Sequence, residues 1–110
     1  MDEPLPKFVL LIPLNYNDGR EVPKEIILDF QEELFALGGG FTEAGTVKGA
    51  YRMDDGGKQV DDSLEIWIII REEFVSDLKQ LVGRLGAKLG QETMYFERTG
   101  GAVEFIPPQT

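Results

Sequence analysis

The order of strand-like and helix-like segments constrains the fold of this chain more than any other feature. Residues 7–14 form a nearly continuous apolar run, which is typical of a strand buried on both faces. Pro23 then stands where a helix can begin, apolar residues follow at helical spacing, and the glycines at 38–40 end that helix. The same reasoning predicts strands over residues 46–53 and 63–71, a second helix over 74–89, and two short strands over 92–98 and 102–106.

This β-α-β-β-α-β order, with one extra C-terminal strand, predicts an α+β fold of the ferredoxin-like type. In that fold an antiparallel sheet carries two helices on one face. Its first and third strands are central, and these are the two most apolar strands of the chain. A length of 110 residues predicts one domain, with a core from about residue 7 to residue 106.

Alternation along the third strand assigns side chains to the two faces of the sheet. Leu64, Ile66, Ile68 and Ile70 are expected to face the helices, and Trp67 with its alternate neighbours is expected to face away from them. On the second strand, we expect Val47, Tyr51 and Met53 to face the helices and Lys48, Ala50 and Arg52 to face away. That arrangement pairs Ala50 with Glu65 and Lys48 with Trp67.

The helix-free face of the sheet is the candidate functional surface. An exposed apolar patch of this kind usually marks an interface or a ligand groove. The residues assigned to binding or contact there are Lys48, Arg52, Trp67, Ile69, Arg71, Tyr95 and Glu97, around an apolar floor of Val9 and Leu11.

Missing residue types narrow the chemistry of the chain. It contains no histidine and no cysteine, which excludes thiol catalysis, serine–histidine triads and zinc sites of the usual kind. Acidic residues outnumber basic ones 20 to 11, for a net charge of −9. Such a charge disfavours nucleic acid and anionic membranes as partners. We predict no cofactor.

Aspartates cluster between the second and third predicted strands, in a segment predicted to be a polar loop. Asp54, Asp55, Asp61 and Asp62 could offer oxygen ligands to Ca²⁺ or Mg²⁺. They lack the spacing of an EF-hand loop, and Asp and Gly are also the residues that connections between strands favour. We therefore predict no metal site and retain these four only as weak candidates.

No apolar stretch is long enough to cross a bilayer, so no membrane association is expected. The acidic residues 1–7 lack the basic region of a secretory signal, which predicts a cytoplasmic location.

Three functions fit the helix-free face. The favoured one is a non-enzymatic binding or regulatory module that forms a homodimer through this face, with room for a small-molecule ligand. The alternative is a small carboxylate-dependent isomerase or lyase of the dimeric α/β-barrel type. In it, Glu65 is the base, Tyr95 the proton donor, and Arg52 or Arg71 the anchor for an anion. The third is a module that binds another protein.

Several segments resemble a family of small uncharacterised bacterial proteins. They are SLEIW at 63–67, within the longer string 49–70, QETMYFE at 91–97 and AVEFI at 102–106. The resemblance extends from about Phe8 to Ile106. It implies no activity, cofactor or catalytic residue, and a ferredoxin-like fold alone does not imply a function.

Overall fold

A computed structural model describes residues 5–100 and 103–109 of the chain and contains the predicted elements in the predicted order. Its elements are β1 (Lys7–Pro13), α1 (Lys24–Gly38), β2 (Thr42–Arg52), β3 (Lys58–Ile69), a 3₁₀ turn (Glu72–Phe74), α2 (Val75–Lys88), β4 (Met94–Arg98) and β5 (Val103–Ile106). The predicted start of the last strand at Ala102 lies outside the described residues. Neither described helix is long and apolar enough to span a membrane.

The five strands form one antiparallel sheet in the order β2-β3-β1-β4-β5. The first four strands have the order of a ferredoxin-like sheet, and the extra strand pairs with β4 at the edge. The predicted α+β fold of this type is therefore confirmed, and the position of the terminal strand, which the sequence left open, is decided.

The core lies between the sheet and the two helices. Residues of β1 and β3 that alternate toward the helices are almost fully buried, and Leu10 and Ile66 expose none of their surface. Apolar residues of α1 and α2 cover them from the other side. The buried set is Phe8, Leu10, Ile12, Val22, Phe30, Leu34, Ile66, Ile68, Ile70, Leu78, Leu81, Val82, Leu85, Leu89, Met94 and Phe96. The helix-facing set predicted for the third strand is confirmed for Ile66, Ile68 and Ile70.

The ends of α1 follow the sequence signals. The helix begins directly after Pro23, whose missing N–H costs nothing in a first helical turn. It ends at Gly38, and the capping residue Gly39 adopts a left-handed conformation with φ of 82° and donates its backbone N–H to the Phe35 carbonyl. A glycine reaches that conformation without the strain of a β-carbon.

The β2–β3 hairpin differs from its prediction. The second half of the segment predicted to be a polar loop is strand, because the turn is confined to the residues between Met53 and Lys58. Two backbone hydrogen bonds between Met53 and the glycines Gly56 and Gly57 close this turn. Asp61 and Asp62 consequently lie within β3 rather than in a loop.

The predicted register of β2 is wrong. Gly45, not Ala50, lies opposite Glu65, and Lys48 lies opposite Asp62 rather than Trp67. The short turn sets this pairing, and an irregularity between Glu43 and Gly45 shifts the register again farther along. A shift of one residue moves every side chain of a strand to the opposite face.

Tyr51 shows this reversal most clearly. It was expected in the core, yet it lies opposite Gln59 and exposes 52% of its surface. Met53 is exposed as well. Lys48 lies on the face of β2 that the helices would cover, whereas Tyr51 lies on the helix-free face.

Candidate functional site

The helix-free face has an apolar centre flanked by carboxylates and aromatic rings. On β1, Leu11 lies opposite Glu65 of β3 on one side and Tyr95 of β4 on the other. Two residues before Leu11 and on the same face, Val9 lies between Trp67 and Glu97. The four flanking residues thus share one face, as alternation predicted.

These four residues form two aromatic–carboxylate pairs. The Trp67 indole Nε1–H donates to Glu65 Oε2 at 2.6 Å, along β3. The Tyr95 hydroxyl donates to Glu97 Oε1 at 3.0 Å, along β4. Members of a pair are two residues apart, so both side chains leave the same side of their strand. Each carboxylate is therefore oriented by a neighbour on its own strand.

The surroundings of Tyr95 shift the pKa of its hydroxyl. Burial is the main cause that raises the pKa of its hydroxyl above the ordinary value, and the hydrogen bond and negative charge of Glu97 raise the pKa further. Tyr51 and Glu65 act on the Tyr95 pKa in the same direction. The phenol consequently stays protonated at neutral pH, where it acts as a hydrogen-bond donor.

A cleft opens beside these pairs, between the β2–β3 hairpin and the start of β4. Its volume is about 770 Å³, which is within the range of small-molecule sites. Four carboxylates and one guanidinium belong to its lining, so the charge of the cleft is strongly negative. The lining residues are Leu11, Pro13, Asn17, Tyr51, Arg52, Met53, Asp54, Asp55, Gln59, Asp61, Ser63, Gln91, Glu92, Thr93, Met94 and Tyr95.

Tyr51 owes its position on the wall of this cleft to Gly49. A β-carbon built on Gly49 would lie 2.7 Å from the Tyr51 hydroxyl oxygen and 3.0 Å from two ring carbons. The ring therefore lies along β2 over the empty space that the glycine leaves. Gly49 does not have positive φ, so the backbone itself does not require a glycine there.

Two loops are joined at one end of the cleft by side-chain hydrogen bonds. Asn17 donates to the Gly90 carbonyl at 3.1 Å, and the Gln91 amide donates to Asn17 Oδ1 at 3.1 Å. The loop after β1 and the loop after α2 are thereby held together. Both Asn17 and Gln91 line the cleft, so these bonds shape its wall.

The cations predicted to face Glu65 and Glu97 are mostly elsewhere. Lys48 lies on the other face of β2 and pairs with Asp62 at 3.7 Å. Arg71 follows the end of β3 and pairs with Glu73 at 2.6 Å. Arg52, at the end of β2, lines the cleft. Of the two proposed anion anchors, the structure places Arg52 at the cleft and Arg71 away from it.

Ile69 lies on the helix-free face with 53% of its surface exposed, opposite Lys7 and outside the cleft lining. Glu65, Trp67 and Glu97 are also outside the lining, but their hydrogen bonds form the two pairs beside Tyr95, whereas Ile69 lies two residues beyond Trp67.

The four aspartates do not form a single ligand set. Asp61 and Asp62 are consecutive on β3 and leave opposite faces of the sheet. Asp55 accepts the Gly57 backbone N–H at 2.7 Å, as in an ordinary turn. Among the residues that the structure describes, no group of three acidic side chains is placed to hold a metal ion. Asp54, Asp55 and Asp61 instead contribute negative charge to the cleft.

Sequence reasoning missed much of the cleft. It placed Tyr51 in the core, and it assigned none of Asn17, Gln91 and Glu92 to the candidate surface. The glycine two residues before Tyr51 on the same strand was the available sequence signal, because it leaves space for the tyrosine ring along the strand. The loop residues had no such signal, because only the fold brings residues 17 and 91 together.

No family model and no curated protein matches the chain. Solved structures of the same architecture do. A phage SAM lyase in complex with S-methyl-5′-thioadenosine matches with a TM-score of 0.69 and 18% identity, over 97% of this chain and 92% of that one. A phage SAM lyase in the apo state matches with a TM-score of 0.70 and 17% identity, over 100% of this chain and 97% of that one. At this level of identity, the likeness shows a shared fold.

These neighbours contradict the favoured prediction of a non-enzymatic module, because both are enzymes. That prediction was wrong. It rested on the apolar character of the helix-free face, and an apolar floor serves a substrate cleft as well as an interface. The alternative prediction, a small carboxylate-dependent enzyme of the isomerase or lyase class, agrees better with the findings.

Proposed function

We propose that this chain binds S-adenosylmethionine (SAM) in the cleft and cleaves it as a lyase, releasing S-methyl-5′-thioadenosine. The observation that carries the proposal is the acidic, tyrosine-lined cleft in a fold shared over nearly its whole length with phage SAM lyases. The substrate carries permanent positive charge on sulfur, an ammonium group and an adenine ring. Carboxylates and aromatic faces are the groups that recognise such a molecule.

The cleft and the residues beside Tyr95 together offer a partner for each part of the substrate. Tyr51 presents an exposed aromatic ring on which adenine can stack. Glu65 and Glu97 do not line the cleft, but they lie next to Tyr95, which does, so they can bind an ammonium group that reaches past the Tyr95 ring. Arg52 supplies a positive group for the carboxylate of the substrate. This assignment keeps the anion-anchor role predicted for Arg52.

The carboxylates are assigned to the ammonium group for an energetic reason. The sulfonium charge disappears as the bond from sulfur to the γ-carbon breaks, and the electron pair of that bond stays on sulfur. A carboxylate pressed against the sulfur would therefore stabilise the substrate more than the transition state. The ammonium charge persists throughout the reaction, so binding it costs no such penalty.

Two reaction routes account for this cleavage with atoms and electrons balanced. In the first, the substrate's own carboxylate oxygen attacks the γ-carbon and closes a lactone, and no proton moves. In the second, a base removes a proton from the β-carbon and the fragment leaves as an alkene, the role predicted for Glu65. We favour lactone formation because the chain has no histidine, the side chain that ordinarily titrates near neutral pH.

The test is product analysis with purified chain and SAM. We expect S-methyl-5′-thioadenosine above the rate in buffer alone, measured by chromatography, and a lactone in the proton NMR spectrum of the mixture. An alkene would instead assign Glu65 as the base. No product above the buffer rate would refute the proposed function.

A matched pair of variants tests the site. Glu65→Gln removes one charge at the site and is expected to lower kcat/KM at least ~30-fold, the effect of losing ~2 kcal/mol from a hydrogen-bonded charge pair. Glu32→Gln removes one exposed charge from α1 and is expected to match the wild type. Full activity in Glu65→Gln would contradict the assignment of Glu65.

A further inference from the structure

We propose that Trp67 is the positioning residue for Glu65. Its indole N–H holds one carboxylate oxygen and thereby directs the other toward the ammonium group of the substrate. This inference rests on the proposed function, because it concerns how that site orders its substrate before the bond breaks.

The bond between the two side chains is short and has one possible direction. Trp67 Nε1 lies 2.6 Å from Glu65 Oε2. An indole N–H can only donate and does not titrate in the range where proteins are folded. A hydrogen bond to an ionised carboxylate is also stronger than one between neutral groups. Glu65 Oε2 is thus occupied as the acceptor of the Trp67 indole N–H.

The indole ring is itself held in place. Lys7 Nζ lies 3.9 Å from the ring centroid, a cation–π contact from β1. The ring exposes 36% of its surface, although it stands on the uncovered face of the sheet. Lys7 and Glu65 therefore restrain the ring at its face and its edge, and a restrained donor can restrain its acceptor.

The Tyr95–Glu97 pair restrains its carboxylate less than the Trp67–Glu65 pair does, so the two carboxylates have different roles. Glu97 accepts from a tyrosine hydroxyl, which can rotate and can also act as an acceptor. The orientation of Glu65 does not have this freedom. If Glu65 fixes the ammonium group, the reacting carboxylate and γ-carbon of the substrate are brought into register, which affects kcat more than affinity.

The experiment compares Trp67→Phe with the wild type. Phenylalanine keeps an aromatic face for Lys7 and removes only the N–H donor. Because Glu65 keeps its charge but loses its orientation, we expect kcat to fall about tenfold to 10²-fold while KM changes less than about threefold. Ile69→Ala, two residues along the same strand and face, controls for lost apolar surface and is expected to match the wild type.

A spectroscopic measurement separates this inference from the proposed function. Trp67 is the single tryptophan of the chain, so one indole N–H signal in a ¹⁵N NMR spectrum reports on it. We expect Glu65→Gln to move that signal upfield, as the charge-assisted bond is lost, while Ile69→Ala leaves it in place. An unmoved signal in Glu65→Gln would overturn the pairing, whether or not the chain cleaves SAM.

The kinetic outcomes are equally distinct. An inactive wild type would refute the proposed function, and the indole signal would then decide on its own whether Trp67 holds Glu65. An active wild type with an equally active Trp67→Phe would overturn the positioning role alone.

Discussion

Gly49→Ala tests whether the placement of Tyr51 is built into the hairpin. The new methyl carbon would lie 2.7 Å from the Tyr51 hydroxyl oxygen and 3.0 Å from two ring carbons. Favourable separations are roughly 3.5–4.0 Å, so the ring must move outward by about 1 Å. Since the ring is largely exposed and the backbone at 49 does not need a glycine, we expect the side chain to move and the fold to persist.

The expected effect on stability follows from a double-mutant cycle that combines Gly49→Ala with Tyr51→Ala. A glycine inside a strand costs about 0.5–1 kcal/mol relative to alanine, so Gly49→Ala should stabilise the Tyr51→Ala background by about that amount. With the ring present, the clash cancels the gain. We therefore expect a coupling energy of about 0.5–1 kcal/mol between the two positions, measured by urea unfolding.

Ligand binding gives the functional readout. Stacking of a base on an aromatic side chain is worth about 1–3 kcal/mol, so Tyr51→Ala should raise the Kd for S-methyl-5′-thioadenosine between roughly fivefold and 150-fold. Gly49→Ala should raise the same Kd by a smaller factor, because the ring is displaced rather than removed. Ala50→Ser, on the opposite face of β2, is the control and should leave the Kd unchanged. Unchanged Kd in Gly49→Ala together with additive stabilities would refute the reasoning.

Three further predictions concern stability. Ile66 lies on β3 with none of its surface exposed, so Ile66→Ala should lower the free energy of unfolding by about 2–5 kcal/mol. The loss would appear as a lower urea midpoint at constant m. A loss below about 1 kcal/mol would place Ile66 outside the core. Gly86→Ala would bring a methyl carbon within 2.8 Å of Met94 Cγ, so it should lower Tm despite the helix preference for alanine, and a raised Tm would contradict this packing. The raised pKa of Tyr95, caused mainly by burial, means that the folded chain holds this proton more tightly than the unfolded chain. This contribution to stability is complete below the unfolded value near ~10 and is lost as pH rises through the folded pKa, so Tyr95→Phe should flatten the alkaline loss of stability, and identical slopes would refute it.

The sequence determined the architecture because local patterns carry it. The helical spacing of apolar residues after Pro23, the glycines that follow, and the two apolar strands predict both helices and the central strands. Alternation in β3 correctly separated Ile66 and Ile68 from Trp67. The absence of histidine and cysteine likewise limited the chemistry before any fold was known.

Only the tertiary structure decided the site, because the site depends on register and on contacts between distant residues. One short turn between Met53 and Lys58 moves Tyr51 from the core side to the cleft side, and the sequence gives no measure of where such a turn will close. Asn17 and Gln91 meet only when the loops after β1 and α2 reach the same end of the sheet. Residue spacing predicts which face of a strand is apolar, whereas the partner of a strand sets which side chains share a cleft.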